Sequence, residues 1–385
     1  MLKDNIKCPI CKTKDFSILL ELPDYPLTEL FHNSERKKKF LLTKSNQAFC
    51  FCESCNHGFL KTIIDPNYLY QKDNYNTIST NSKGAMISLT NFAEFINKSN
   101  SYCSDFVIDI GGNDSNLLDQ VKAKRGAVID PNSKTSKPEY KALSFFFEHI
   151  DPKELESDKI SVVSSHTLEH IENPYSFFNF LKGIKNVKSF YLQFPSLELM
   201  IESRRFDLIH HQHIHYYSLV SIQKLAKQYD LKILRYEYDY DHYGVLRVEL
   251  SKDNNQEGIE FCSGLYKSDF ISELIESFKI FTKYQNSFLD QFQNINCYGA
   301  SLMLPITFYY YPNLKKSQAI LDADISKSTV SYVNIDVPII HDNNNDLKNS
   351  LVFITANATR YANRIILKNL IDRNPQYLIN PFPTN

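Results

Sequence analysis

"FVIDIGGNDSNLL", residues 106 to 118, runs from a short apolar stretch into an acidic residue, two adjacent glycines and a renewed helical spacing from Asn116. Four to five mostly apolar residues are the length of a buried strand, and a Gly-Gly pair supplies a turn in which the backbone can approach another group closely. The stretch therefore predicts strand, tight turn and helix. Reading outward, "TNFAEFINKSN" before it is helical. After it come helix "NLLDQVKAK", strand "GAVID", strand "ISVVSS", helix "SFFNFLKGI" and strand "SFYLQFP". Strands that alternate with helices pack as a parallel, doubly wound sheet, so the fold class is α/β of the Rossmann type.

The run "LKILRYEYDYDHYGVLRVEL" (231–250) alternates with period two around a His-Tyr-Gly turn and predicts an antiparallel hairpin closing that sheet. Tyr236, Tyr238 and Tyr240 share one face of it, which strand packing explains better than ligand stacking. After the long amphipathic helix "SELIESFKIFTKYQNSFLDQF", the segments "INCYGAS", "AILDAD" and "LVFITAN" begin a second alternation, with "HDNNNDLKNS" as a loop. Residues 1–75 lack helical periodicity and are rich in Cys, Pro and charge. They predict a small loop-rich module in which "SERKKKF" (34–40) is a solvated turn. The expected division is 1–75, 76–255 and 256–385.

The chain has 385 residues, and its 43 basic and 44 acidic side chains nearly cancel, which argues against nucleic acid as a partner. No apolar run reaches the ~18 residues of a membrane span, and the start "MLKDNIKCPIC" lacks an apolar signal core, so a cytoplasmic protein with no membrane partner is expected. In that compartment eight cysteines are not expected to form structural disulfides. Cys8 and Cys11 in "CPIC", with Cys52 and Cys55 in "CESC", make two Cys-x-x-Cys knuckles able to place four thiolates around a structural zinc ion. Cys50, Cys103, Cys262 and Cys297 are assigned to the core.

The glycine turn carries Asp109, Gly111, Gly112, Asn113 and Asp114, and its helix start favours an anionic group such as a carboxylate. About 20 residues on, Asp130 ends the next strand, where an acidic side chain holds a ribose hydroxyl pair in Rossmann-type folds. Together they indicate a nucleoside cofactor. Because the loop reads "DIGGNDS" and not G-x-G-x-x-G, S-adenosylmethionine is favoured over a dinucleotide. A third strand ends at Ser164 and Ser165, followed by His166, Glu169 and His170, with His170 expected to face the crevice. "FDLIHHQHIHYYSL" (206–219) packs His210, His211, His213 and His215 into six positions. Three readings compete for it: a metal site, an acid/base centre, or a polar structural cluster. If the run is extended, His211, His213 and His215 share a face.

The motifs in this order resemble the sugar C-methyltransferases of deoxysugar biosynthesis, which have an N-terminal zinc module, a central S-adenosylmethionine domain and a C-terminal Rossmann-like domain. The resemblance covers nearly the whole chain. It rests on "CPIC" with "CESC", "DIGGNDSNLL", "LEHIENP", "FDLIHHQHIHYYSL", "HYGVLRV" and "CYGAS". It implies a transferase for a nucleotide-linked ketosugar, deprotonated beside the ketone and then methylated. In that comparison His213 takes the base position, with His170 and His242 stabilising or orienting the enolate. His210 and Gln212 stand where the family has Tyr and Glu, Ser115 replaces the last glycine of the loop, and "CYGAS" continues without the family's Lys-Gly. A sugar O-methyltransferase and a non-catalytic scaffold in glycan assembly are the rival expectations.

Overall fold

The computed structural model describes residues 2–381 apart from 34–39, 70–82, 156, 241–243, 254, 263–264, 344–345 and 357–359. Most of the lysine run and His242 therefore lie outside the described residues.

Seven strands make the central sheet: β1 (Val107–Ile110), β2 (Gly126–Ile129), β3 (Tyr140–Leu143), β4 (Ile160–Ser165), β5 (Val187–Pro195), β6 (Lys232–Asp239) and β7 (Val245–Ser251). Their order is β3-β2-β1-β4-β5-β7-β6. The first five run parallel, and β7 pairs antiparallel with both β5 and β6. This is the Rossmann order 3-2-1-4-5, closed by the hairpin expected from residues 231–250. The direction in which successive strands are added to the sheet reverses between the parallel neighbours β1 and β4, and there the carboxyl ends of the strands open a crevice.

Pleating explains why both faces are covered. Ile108, Ile110 and Val162 join one apolar cluster with Phe177, Phe178 and Leu181 of the helix Pro174–Gly183, while Val107 and Val163 join another with Phe92, Phe95 and Ile96 of the helix Lys83–Asn97. The helix after β1 spans only Asn116–Gln120, shorter than "NLLDQVKAK" suggests. Val121 already lies outside it, and Lys122 turns left-handed at φ 57°. Sequence reading also passes over β3, since "YKAL" exposes its two middle residues and has no apolar run.

The N-terminal segment departs from the loop-rich expectation. Ser17–Pro26 and Lys44–Cys52 are long antiparallel strands, and with His57–Leu60 and His215–Tyr216 they form a four-stranded sheet. One edge strand thus comes from the histidine-rich run some 160 residues away. Leu20, Leu22, Tyr25, Phe49 and Phe51 of this sheet share a buried cluster with Phe206, Ile209, Ile214 and the long helix Ser268–Leu289. Polar residues interleaved with this apolar face hide it from a search for helical periodicity.

A second parallel sheet contains β8 (Ile295–Tyr298), β9 (Ala319–Asp322), β10 (Ile339–His341), β11 (Leu351–Ile354) and β12 (Tyr377–Ile379), in the order β10-β9-β8-β11-β12. It repeats the 3-2-1-4-5 pattern. No helix among the described residues is long and apolar enough to cross a membrane.

Candidate functional site

The crevice over β1, β2 and β4 is a cleft of about 380 Å³. Gly111, Asp130, Pro131 and Asn132 form one wall, Phe145, Phe146 and Phe147 another, and His166, Thr167 and His170 the floor; Asp65 and Pro66 of the N-terminal part also reach it. Gly111 has φ 79°, and a Cβ there would lie 2.0 Å from Thr167 Oγ1. A Cβ on Gly112 would lie 2.3 Å from Asp109 Oδ2. Only glycine lets the turn sit this low over β1.

Asp109 is buried beneath that turn, and neither carboxylate oxygen has a hydrogen-bond partner among the described residues. Burial pushes its carboxyl well above the usual range, reinforced by Asp114 and Asp130. Asp130 caps its own turn, accepting the Asn132 N–H at 2.7 Å, and also lines the cleft, with burial raising its carboxyl. Asn113 and Asp114 lie past the turn: the Asn113 carbonyl accepts the Lys134 N–H at 2.7 Å and Asp114 Oδ1 the Asn116 N–H at 3.3 Å. Ser165 accepts a bond from Gln193 Nε2 at 2.9 Å. The helix beyond the turn is too short for a substantial dipole, so the anion preference assigned to it is not supported.

The histidine run divides. His213 N bonds to the His210 carbonyl at 3.1 Å, so residues 210–213 make a turn; only His215 and Tyr216 are extended, and the three histidines do not share a face. His211 Nε2 faces the Tyr25 carbonyl at 3.1 Å and Nδ1 faces Gln47 at 3.3 Å. His215 bridges His57, at 3.1 Å, and the Ile171 carbonyl, at 3.0 Å. Burial holds both imidazoles down to about 4. These two tie the N-terminal sheet to the body of the protein.

His170 lines the cleft floor, and His213 and His210 gather behind it. The His210 and His213 ring centroids are 3.9 Å apart, and those of His170 and His213 4.9 Å. His210 Nδ1 donates to the Leu208 carbonyl at 2.9 Å, and burial keeps this ring neutral, down to about 3. His170 Nδ1 donates to the Gln212 carbonyl at 2.9 Å, and its Nε2 lies on the side of Glu169. The Gln212 side chain turns away toward the loop that follows Ser17–Pro26, where Oε1 accepts from Thr28 at 3.2 Å. Only its backbone serves the cluster.

Sequence reading named Glu169 without giving it a role. It is fully buried, its Oε1 lies 3.2 Å from His166 Nδ1 and 3.9 Å from His170 Nε2, and burial pushes its carboxyl up to about 7. His166, left-handed at φ 51°, holds its imidazole over this carboxylate, and burial, then Arg247, lowers the ring. A carboxylate absent from position 212 is thus present in space from another segment. The aromatic wall was also missed, and the three consecutive phenylalanines of "SFFFEH" were its available signal.

The cysteine knuckles meet as their spacing predicts. Cys8 and Cys55 sulfurs are 3.5 Å apart, as are those of Cys11 and Cys52, and all four lie within 4.8 Å of one another. A tetrahedron with ~2.3 Å zinc–sulfur bonds has edges of about 3.8 Å, so the donor set fits zinc. Hydrogen bonds from Cys55 and Cys8 hold the Cys52 thiol low, and the contacts with Cys52 hold Cys8 and Cys55 high. Four thiolates here require a cation between them. Cys50 and Cys297 are buried as expected, but Cys103 is only half-buried and Cys262 is exposed, correcting their assignment to the core. In the C-terminal sheet Asp322 ends β9, but its carboxylate already accepts the Ala300 N–H at 2.7 Å and the Asp324 N–H at 2.9 Å.

No protein-family model and no curated protein matches this chain. Solved structures similar to part of it include one chain of the Haloferax volcanii complex containing the Trm112 methyltransferase activator, at 14% identity over 45% of this chain and 93% of that one, with TM-score 0.37. The magnesium protoporphyrin IX methyltransferase of Synechocystis with bound SAH is 12% identical over 48% of this chain and 91% of that one, with TM-score 0.34. Mitomycin 7-O-methyltransferase is 15% identical over 44% of this chain and 56% of that one, with TM-score 0.34. The likeness covers less than half of this protein and extends no further than the course of the chain.

Proposed function

We propose that this protein is an S-adenosylmethionine-dependent methyltransferase whose acceptor is a nucleotide-linked ketosugar, methylated at the carbon beside the ketone. One observation carries the reading: the glycine turn and Asp130 open on the same cleft as His170, with His213 in contact behind it. Two features fit the cofactor: the buried Asp109 carboxylate beneath the turn, without a hydrogen-bond partner among the described residues, and the close seating of Gly111 on Thr167, which holds the turn low at the cleft. Gly111, Gly112 and Asp130 would hold it, with the phenylalanine wall beside them. When bound it supplies an electrophilic methyl group.

The remaining chemistry belongs to the chain. A proton next to a ketone is weakly acidic, so it needs a placed base and a donor for the enolate oxygen. His213 serves as base. His210, kept neutral by burial, lies tilted against it without competing for the proton. His170, locked by the Gln212 carbonyl, meets the enolate oxygen from the other side. Glu169 faces His170 and His166 and orients both rings from the buried side.

Calorimetric titration with S-adenosylmethionine and S-adenosylhomocysteine is the first test, and binding of neither removes the reading. With a ketosugar nucleotide as acceptor, nuclear magnetic resonance of the product separates a C-methyl branch from an O-methyl ether. Turnover retained in His213→Asn removes the base assignment.

A further inference from the structure

The geometry points to a divalent transition-metal site formed by Glu169, His170 and His213 just behind the cleft floor, separate from the four-cysteine centre. One donor atom from each lies within 4.8 Å of the other two. Two imidazole nitrogens and one carboxylate oxygen are a donor set that suits zinc, iron and nickel, and three protein ligands leave positions open to an incoming molecule. The thiolate centre, by contrast, is a closed set of four.

Three further observations separate this cluster from a chance meeting of polar side chains. His170 gives its Nδ1 proton to the Gln212 carbonyl, which fixes the tautomer and turns the Nε2 lone pair toward Glu169, 3.9 Å away. Metal-bound histidines are oriented in this way, by a backbone carbonyl on the far nitrogen. Glu169 is fully buried, and its Oε2 makes no hydrogen bond among the described residues. A carboxylate removed from water in this way calls for a cation or a proton. Its other oxygen is met by His166 Nδ1 at 3.2 Å, which orients the carboxylate as an outer partner does. With metal–ligand bonds of about 2.0–2.2 Å, donor atoms of one coordination sphere sit roughly 3 Å or more apart, so closure needs only a small inward movement of side chains that already face one another.

His170 also lines the open cleft. An ion on this cluster therefore presents its open positions to whatever enters there, and the class of ligand it favours carries two adjacent oxygens, as in a ketone flanked by a hydroxyl. The inference goes beyond the proposed function, since it stands on donor geometry and holds for any such oxygen ligand. It also alters one assignment, because a metal-bound His213 has no lone pair with which to act as base, and polarisation of the acceptor oxygen passes to the ion.

The test uses the full-length protein as purified, with its thiolate centre filled, titrated with cobalt(II) chloride alone. The expected result is one added equivalent with visible d–d absorption and no new sulfur-to-cobalt charge-transfer band. His170→Ala and His213→Ala should each weaken that binding by at least about a hundredfold, and Glu169→Gln by about ten- to a hundredfold, with circular dichroism showing that the variants fold. Absence of the d–d bands at saturating cobalt overturns the inference. So does absorption of thiolate character alone, or binding undiminished in the folded variants. If a variant does not fold, the wild-type spectrum still decides, because imidazole and thiolate ligands differ in their charge-transfer bands. Titration with S-adenosylmethionine runs in parallel: cofactor binding without cobalt binding removes the metal site and leaves the methyl-transfer reading, and the reverse result does the opposite.

Discussion

Replacing His211 with glutamine should flatten the acid dependence of stability. Gln47 Oε1 accepts the N–H groups of Ala48 and Thr62, so its amide NH2 must face His211 Nδ1. That nitrogen is therefore an acceptor, Nε2 carries the proton given to the Tyr25 carbonyl, and a second proton would set two donors against each other. Burial accordingly lowers this imidazole to about 4, against about 6.5 for a solvated histidine. A histidine lowered on folding costs nothing above the unfolded value, and its stability is lost as pH falls from about 6.5 toward 4. At about pH 5 the loss comes to ~2 kcal/mol, and it reaches ~3 kcal/mol when both states are protonated. Glu169, raised to about 7, works in the opposite sense and recovers stability over the same range. The measurement must therefore be a difference between proteins. Urea unfolding followed by fluorescence of the 24 tyrosines, with no tryptophan present, at about pH 7.5 and about pH 5 gives each protein's change. His211→Gln should lose ~2 kcal/mol less than wild type between the two conditions. Equal changes in the two proteins would refute the argument, whatever the variant's starting stability.

Gly111→Ala adds a Cβ 2.0 Å from Thr167 Oγ1 at φ 79°, a left-handed conformation costing an alanine roughly 1–2 kcal/mol. It should reduce affinity for S-adenosylmethionine at least about tenfold in a protein that remains folded, and unchanged calorimetric binding would show that this turn is not the cofactor loop. Cys11→Ser should lose one equivalent of zinc relative to wild type by elemental analysis and lower the thermal midpoint, since a structural metal contributes folding free energy directly; a zinc content equal to that of wild type would exclude the four-cysteine centre.

Features written locally were open to sequence reading. The strand at 107–110, its glycine turn, the acidic end of the next strand, the 231–250 hairpin and the paired cysteine knuckles each depend on residues within a few positions of one another, where period, backbone freedom and ligand spacing act directly. The N-terminal sheet was not legible, because its register depends on long-range pairing and one of its strands, His215–Tyr216, is supplied from the middle of the chain.

The sequence by itself determined that this chain alternates strands and helices around a glycine turn, that four thiols lie in pairs suited to one ion, and that imidazoles crowd residues 210–215. Tertiary structure alone decided what each imidazole does. A turn at 210–213 sends His211 and His215 into opposite buried contacts and leaves His213 against His170 and His210. Packing also turned the Gln212 side chain away and brought Glu169 to the cluster from some 40 residues earlier. Side-chain direction in a turn depends on which neighbours bury it, and those neighbours come from distant parts of the chain.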